Sequence, residues 1–222
     1  MRFPTRRHPG LWLPVLALAA TLLPAAAQTP NESRAPAKAD AKPAEPQRGL
    51  MLMASVSNPG VYSPVEGGKA TVLAPAQITK YGVRPFSKDD WTTGREVWAD
   101  FLAEATREAD RLVDALELQY QRDSRGVIDY ALVEHPSPWL SSVLLSKRFL
   151  PRFEREFGKR LHVVVVDRHR FYVFPADGSK LDGYGASIVD IYHDESICRY
   201  PVSLEVFLVD GTGFRAIGSL AE

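Results

Sequence analysis

A single cysteine, Cys198, stands in the whole chain of 222 residues. No intramolecular disulfide can form, so stability has to come from packing even in an oxidising compartment. A lone thiol is either a nucleophile or intermolecular crosslink, or else a small buried hydrophobe. The second is the commoner fate of free cysteine and is the expectation here. An excess of one charge is also missing, since Lys plus Arg and Asp plus Glu both number 27. Phosphate backbones need clustered positive charge, so nucleic acid is not an expected partner. There is no internal repeat, no Gly-x-Ser-x-Gly elbow and no Walker loop. Together these absences exclude the common sequence-readable catalytic classes.

What is present begins at the start of the chain. Arg2, Arg6 and Arg7 precede an apolar run from Leu11 to Leu23, and Ala25-Ala26-Ala27 closes it. This is the order of a secretory signal peptide, with cleavage expected after Ala27. The run is shorter than the roughly 20 apolar residues of a spanning helix and Pro14 interrupts it, so no stable transmembrane segment is expected after cleavage. Removing residues 1–27 takes away three arginines and no acids, leaving 24 basic against 27 acidic residues and a net charge of −3. Residues 28–48 are rich in proline and alanine, without an aromatic or a larger aliphatic side chain. They read as a disordered linker, because they have too little apolar surface to offset the entropy of ordering. About 170 residues remain, 49–222, enough for one hydrophobic core and hence a single domain.

Within that domain Leu50-Met51-Leu52-Met53 reads as a first strand, and the stretch from Pro75 to Phe86 as irregular chain. Trp98, Phe101, Leu102, Ala105, Ala109, Leu112, Val113, Leu116 and Tyr120 recur at helical spacing. They predict one amphipathic helix from about Thr93, its N-cap, to Tyr120. Val127–Val133 reads as a strand. Ser137-Pro138 then opens a short helix, and a second with the stripe Phe149, Phe153 and Phe157 stops at Gly158. Basic residues flank that stripe, so a lipid-facing helix is the alternative to core packing. The valines of Leu161–Val166 predict a strand buried on both faces, returned by a hairpin as Phe171–Phe174. Asp177–Gly185 reads as a glycine-rich loop and Ser187–Tyr192 as a strand. Asp210-Gly211-Thr212-Gly213 reads as the turn of a last hairpin. Helices early and strands late, joined by short connections, predict an α+β fold with a largely antiparallel sheet.

One constellation carries potential chemistry: Asp190, His193, Asp194, Glu195 and Cys198. A histidine, a carboxylate and a thiol are the parts of a metal site or a Cys–His nucleophile pair. Neither has its usual spacing here, and the alternative is a solvated acidic loop. Gly183-Tyr184-Gly185 lacks the third glycine of a dinucleotide fingerprint, and Asp177–Gly183 has Leu181 where a calcium loop needs an oxygen. No cofactor and no metal are therefore expected. The expectation is an exported bacterial protein, periplasmic or extracellular, that binds an envelope protein or a small ligand without catalysis. The alternative is a hydrolase using His193 with Cys198 or a metal.

Overall fold

The computed structural model describes residues 47–221; the signal peptide and nearly all of the linker read from the sequence lie outside them. The fold is α+β with two antiparallel sheets. Strand β1 (Arg48–Ala54) pairs along β3 (Thr71–Thr79), with Leu50 opposite Pro75 and Leu52 opposite Leu73. On the remaining edge of β3, β2 (Ser63–Pro64) meets Leu73 and Val72, and β4 (Gly82–Pro85) meets Ala76 to Thr79. The chain from Pro75 to Phe86, expected to be irregular, is thus the β3–β4 hairpin. Its alternation was masked by Pro75, which β3 accommodates because proline loses only a donor there and its carbonyl still accepts from Phe86 N at 3.0 Å. Arg48, assigned from the sequence to the linker, opens β1, and Gln47 O accepts from Ile78 N.

The second sheet has six strands in the order β10-β9-β7-β8-β6-β5. These are β5 (Leu118–Arg122), β6 (Ile128–Glu134), β7 (Leu161–Asp167), β8 (Arg170–Pro175), β9 (Glu205–Asp210) and β10 (Gly213–Ser219). The valine run of β7 lies at the centre, and its alternate side chains feed two cores, one on each face. Val163 and Val165 join Phe171, Phe207 and the residues of the first sheet, while Val164 and Val166 join Tyr172, Phe174 and Ile188. The continuous valines are explained by that double burial.

Helices cover both faces. Helix α1 (Lys88–Thr93) starts at Ser87, whose hydroxyl accepts from Asp90 N while the Asp90 carboxylate accepts from Ser87 N, a reciprocal capping box. Helix α2 (Trp98–Ala115) buries Phe101, Ala105, Ala109, Leu112 and Val113. The single helix expected from Thr93 to Tyr120 is therefore three elements. Thr93 ends α1 instead of capping α2, and Leu116 turns to extended backbone (φ −62°, ψ 126°) before β5. Leu116, Leu118 and Tyr120 fit a period of two as well as they fit a helix, and the sheet edge takes them.

Ser137 accepts from Trp139 N but is not the helix cap expected: Trp139 holds the N-cap position without a side-chain bond, and the turn it opens, Leu140–Leu145, is 3-10 rather than α. Helix α3 (Phe149–Phe157) buries all three stripe phenylalanines and ends at Gly158 (φ +84°) as expected. That burial puts the aromatic face in the core, not on lipid. Helix α4 (Lys180–His193) corrects the glycine-rich loop and the strand read over Asp177–Tyr192. Leu181, Tyr184, Ile188, Ile191 and Tyr192 lie on one helical face and pack on the second core.

Candidate functional site

The constellation read from the sequence comes apart in three dimensions. Asp190 and His193 are exposed on the last turns of α4, and Asp194 and Glu195 are exposed beyond it. Asp194 Oδ1 accepts from Ser196 N and Ser196 Oγ at 2.9 and 2.6 Å, closing a tight turn that reverses the chain toward the sheet. Asp194 O also accepts from Cys198 N at 2.8 Å. Past it, the chain is stitched to the end of β7: Asp167 Oδ2 accepts from Tyr200 N at 2.6 Å, and Arg168 N donates to Tyr200 O at 3.0 Å. Cys198 is carried inward by this loop, 4% exposed, with its thiol donating to Val166 O at 3.3 Å. Burial, and then the nearby Asp167 carboxylate, push the thiol up to about 11. His193 and Cys198 border the same shallow depression but share no hydrogen bond. Among the described residues no group of three or more His, Cys, Asp and Glu could hold a metal ion.

Two further polar clusters escaped the sequence reading. In the first, Asp129 of β6, nearly buried, accepts from Tyr184 OH at 2.7 Å and from Lys180 Nζ. The Lys180 and Tyr184 hydrogen bonds hold the Asp129 carboxyl below its usual range, and the same carboxylate drives Tyr184 up to about 12. A tyrosine so placed gives up its proton less readily than a free one, so it is not a base at neutral pH. The cluster anchors the first turn of α4 to the sheet.

The second cluster surrounds a cavity of about 250 Å³ between β1, α2 and the 140–145 turn. Trp139 is among its lining residues but is buried, with Gly49 so close to the indole that an added Cβ would stand 3.1 Å from Trp139 Cε3. Ser142, also on the wall, spends its hydroxyl on Trp139 O at 2.7 Å. At the rim, Arg48 pairs with Glu96 and Glu104, both at 3.1 Å, and stacks over Phe101 at 4.9 Å. The Glu104 hydrogen bond, ahead of the nearby charges, raises the Arg48 pKa further and keeps it charged. Glu108 pairs with Arg111 at 2.8 Å. Arg107 borders the same cavity, exposed and, among the described residues, without an ion pair. A guanidinium so placed suits an acidic group on the ligand.

The chain matches no family model, and no curated protein or solved structure matches it. No helix among the described residues is long and apolar enough to cross a membrane.

Proposed function

We propose that this chain is an exported, non-catalytic binding or interaction domain of the bacterial cell envelope. Its exported character rests on the basic start, the short apolar run and the alanine triplet of residues 1–27. The observation that carries the binding reading is the recess over Trp139. Buried Trp139 lies in its wall, the Arg48–Glu104 and Arg111–Glu108 ion pairs border it, and Arg107 is, among the described residues, without an ion pair, while the Ser142 hydroxyl is engaged by backbone. The hydrolase alternative would need the Cys198 thiol ionised beside His193, and its burial and raised pKa work against that.

The test is a photo-crosslinking residue placed at Arg111, on the same wall, in the full chain, expressed in a bacterial envelope, with a second placed at Asp190 as control. A discrete adduct at position 111, missing at position 190 and lost when Arg107→Glu is added, is the expected result. An unprocessed N-terminus in the cytoplasmic fraction, or equal labelling at both positions, would overturn the reading.

A further inference from the structure

A buried carboxylate away from that recess points to a second site. Glu205 opens β9, is 4% exposed, and spends one oxygen on a clamp. Its Oε1 accepts from Lys69 N at 2.6 Å and Ala70 N at 2.9 Å, the two amides of the β2–β3 loop. That loop is fastened to the six-stranded sheet a second time, where Ala216 N donates to Glu66 O at 2.8 Å. The other carboxylate oxygen, Oε2, is buried and has no hydrogen-bond partner among the described residues. Glu205 borders a cavity of about 320 Å³ between the loop and the bulged part of β10. A buried carboxylate oxygen left without a donor is unfavourable by itself, and a ligand that brings an N–H donor and a positive charge relieves both deficits at once.

The rest of the lining narrows what that ligand is. Gly67, Ala70, Ala216 and Gly218 contribute backbone and at most a methyl group, Lys69 and Ser219 are the other polar side chains on the wall, and among the described residues Glu205 is its one acid. A divalent cation wants several carboxylate or carbonyl oxygens around it, and no second carboxylate stands here. The volume lies at the lower end of small-molecule sites and is far larger than a bare ion requires. Gly67 cannot be replaced without loss, because at φ +71° its Cβ would stand 2.2 Å from Ala216 O. Gly218, by contrast, faces open space where a Cβ meets no atom within 4 Å. The cavity therefore has a fixed wall at Gly67 and an open one at Gly218.

We propose that this cavity binds a primary ammonium group, with Glu205 Oε2 as its anionic acceptor. The group comes either on a small free amine or on a lysine side chain presented by a partner. Lys69, exposed on the rim and without an ion pair among the described residues, is the ammonium of this chain nearest in sequence to the clamp.

The experiment follows the backbone amides of Lys69 and Ala70 by NMR while the folded chain is titrated with n-butylammonium chloride, or with an acetyl-Ala-Lys-Ala amide peptide. Tetramethylammonium chloride and calcium chloride are the controls. Saturable shifts with butylammonium alone assign the site to free amines, and a tighter response to the peptide assigns it to a partner lysine. Tetramethylammonium has the charge without an N–H and is expected to be at least tenfold weaker. Glu205→Gln keeps an oxygen for the two amides and places an NH₂ where the acceptor was. It is expected to fold and to weaken amine binding at least tenfold. Gly218→Leu, which adds a bulky side chain to the lining without changing the clamp residues, is expected to do the same and decides the matter if Glu205→Gln does not fold. The proposal is overturned by no saturable shift with either amine, or by binding unchanged in both variants. It is also overturned by a preference for calcium or tetramethylammonium, or by Lys69→Ala abolishing the response as fully as Glu205→Gln.

Discussion

The position of Cys198 makes a quantitative prediction about its reactivity. Burial raises the thiol from its ordinary value of 9.0 to about 11. At pH 8 a free thiol of the ordinary value is about one-tenth ionised, whereas one at about 11 is ionised roughly one part in a thousand. Ionisation alone should thus slow alkylation by about a hundredfold, before the loop between Asp194 and Pro201 adds its steric protection. The same shift links to stability. The folded pKa lies above the unfolded one, so the contribution is intact below pH 9 and is lost as pH rises toward 11, by about 2–3 kcal/mol in all. A maleimide or disulfide reagent at pH 8, with and without denaturant, measures the first effect. Thermal melts between pH 8 and pH 11 measure the second. Cys198→Ser should flatten part of the alkaline loss and leave function intact, with at most a modest stability cost from a hydroxyl in an apolar site. Native alkylation at the rate of the denatured chain would refute the buried-thiol account. A folded, exported Cys198→Ser protein that behaves like a deletion strain would make the thiol the functional group.

Two packing predictions follow from the sheet and its clamp. Val164→Asp places an unpaired carboxylate at a fully buried position between Tyr172 and Val206, a cost of several kcal/mol against a typical total of about 5–15, so the chain should not fold. A soluble variant with a cooperative melt would mean that β7 is not central. Gly67→Ala combines left-handed backbone strain of about 1–2 kcal/mol with a 2.2 Å collision on Ala216 O, whereas Gly126→Ala, at φ +82° in open space, meets the strain alone. The thermal midpoint should fall further for Gly67→Ala, and equal falls would show that the loop yields freely.

Much of this fold was legible because one period dominated locally. The Phe149, Phe153 and Phe157 stripe, the doubly buried valines of β7 and the Asp210–Gly213 turn each point to one structure, and each forms it. Reading failed where two periods coexisted or where special residues masked one. Leu116 to Tyr120 satisfy helix and strand alike, and the register of β5 beside β6 decides between them. Residues 180–193 contain Gly183 and Gly185, poor helix formers, followed by Ile188, Val189 and Ile191, good strand formers. Local preference there favours loop and strand. Tertiary contact overrides it, since Leu181, Tyr184 and Ile188 bury only as a helical face, while Lys180 and Tyr184 fasten the first turn to Asp129.

The chemistry was less legible, because nearness in sequence does not bring side chains together in this fold. Asp190, His193 and Cys198 lie within nine positions, yet the helix turns the first two to solvent and the loop after it buries the third. The stronger signal was an acid standing alone inside an apolar strand. Asp129 interrupts Ile128–Val133, and Glu205 stands in Val202–Val209, where a charge has to be compensated if the strand is central. The two solve that problem differently. Asp129 receives both a lysine and a tyrosine from α4, so its carboxylate is consumed in holding the fold. Glu205 receives two backbone amides on one oxygen and, among the described residues, nothing on the other, beside a cavity with an open wall at Gly218. A buried carboxylate fully satisfied by its own chain marks architecture. One left half satisfied next to empty space marks the place where a ligand completes the structure, and that difference is why Glu205, rather than Asp129 or Cys198, carries the second binding site.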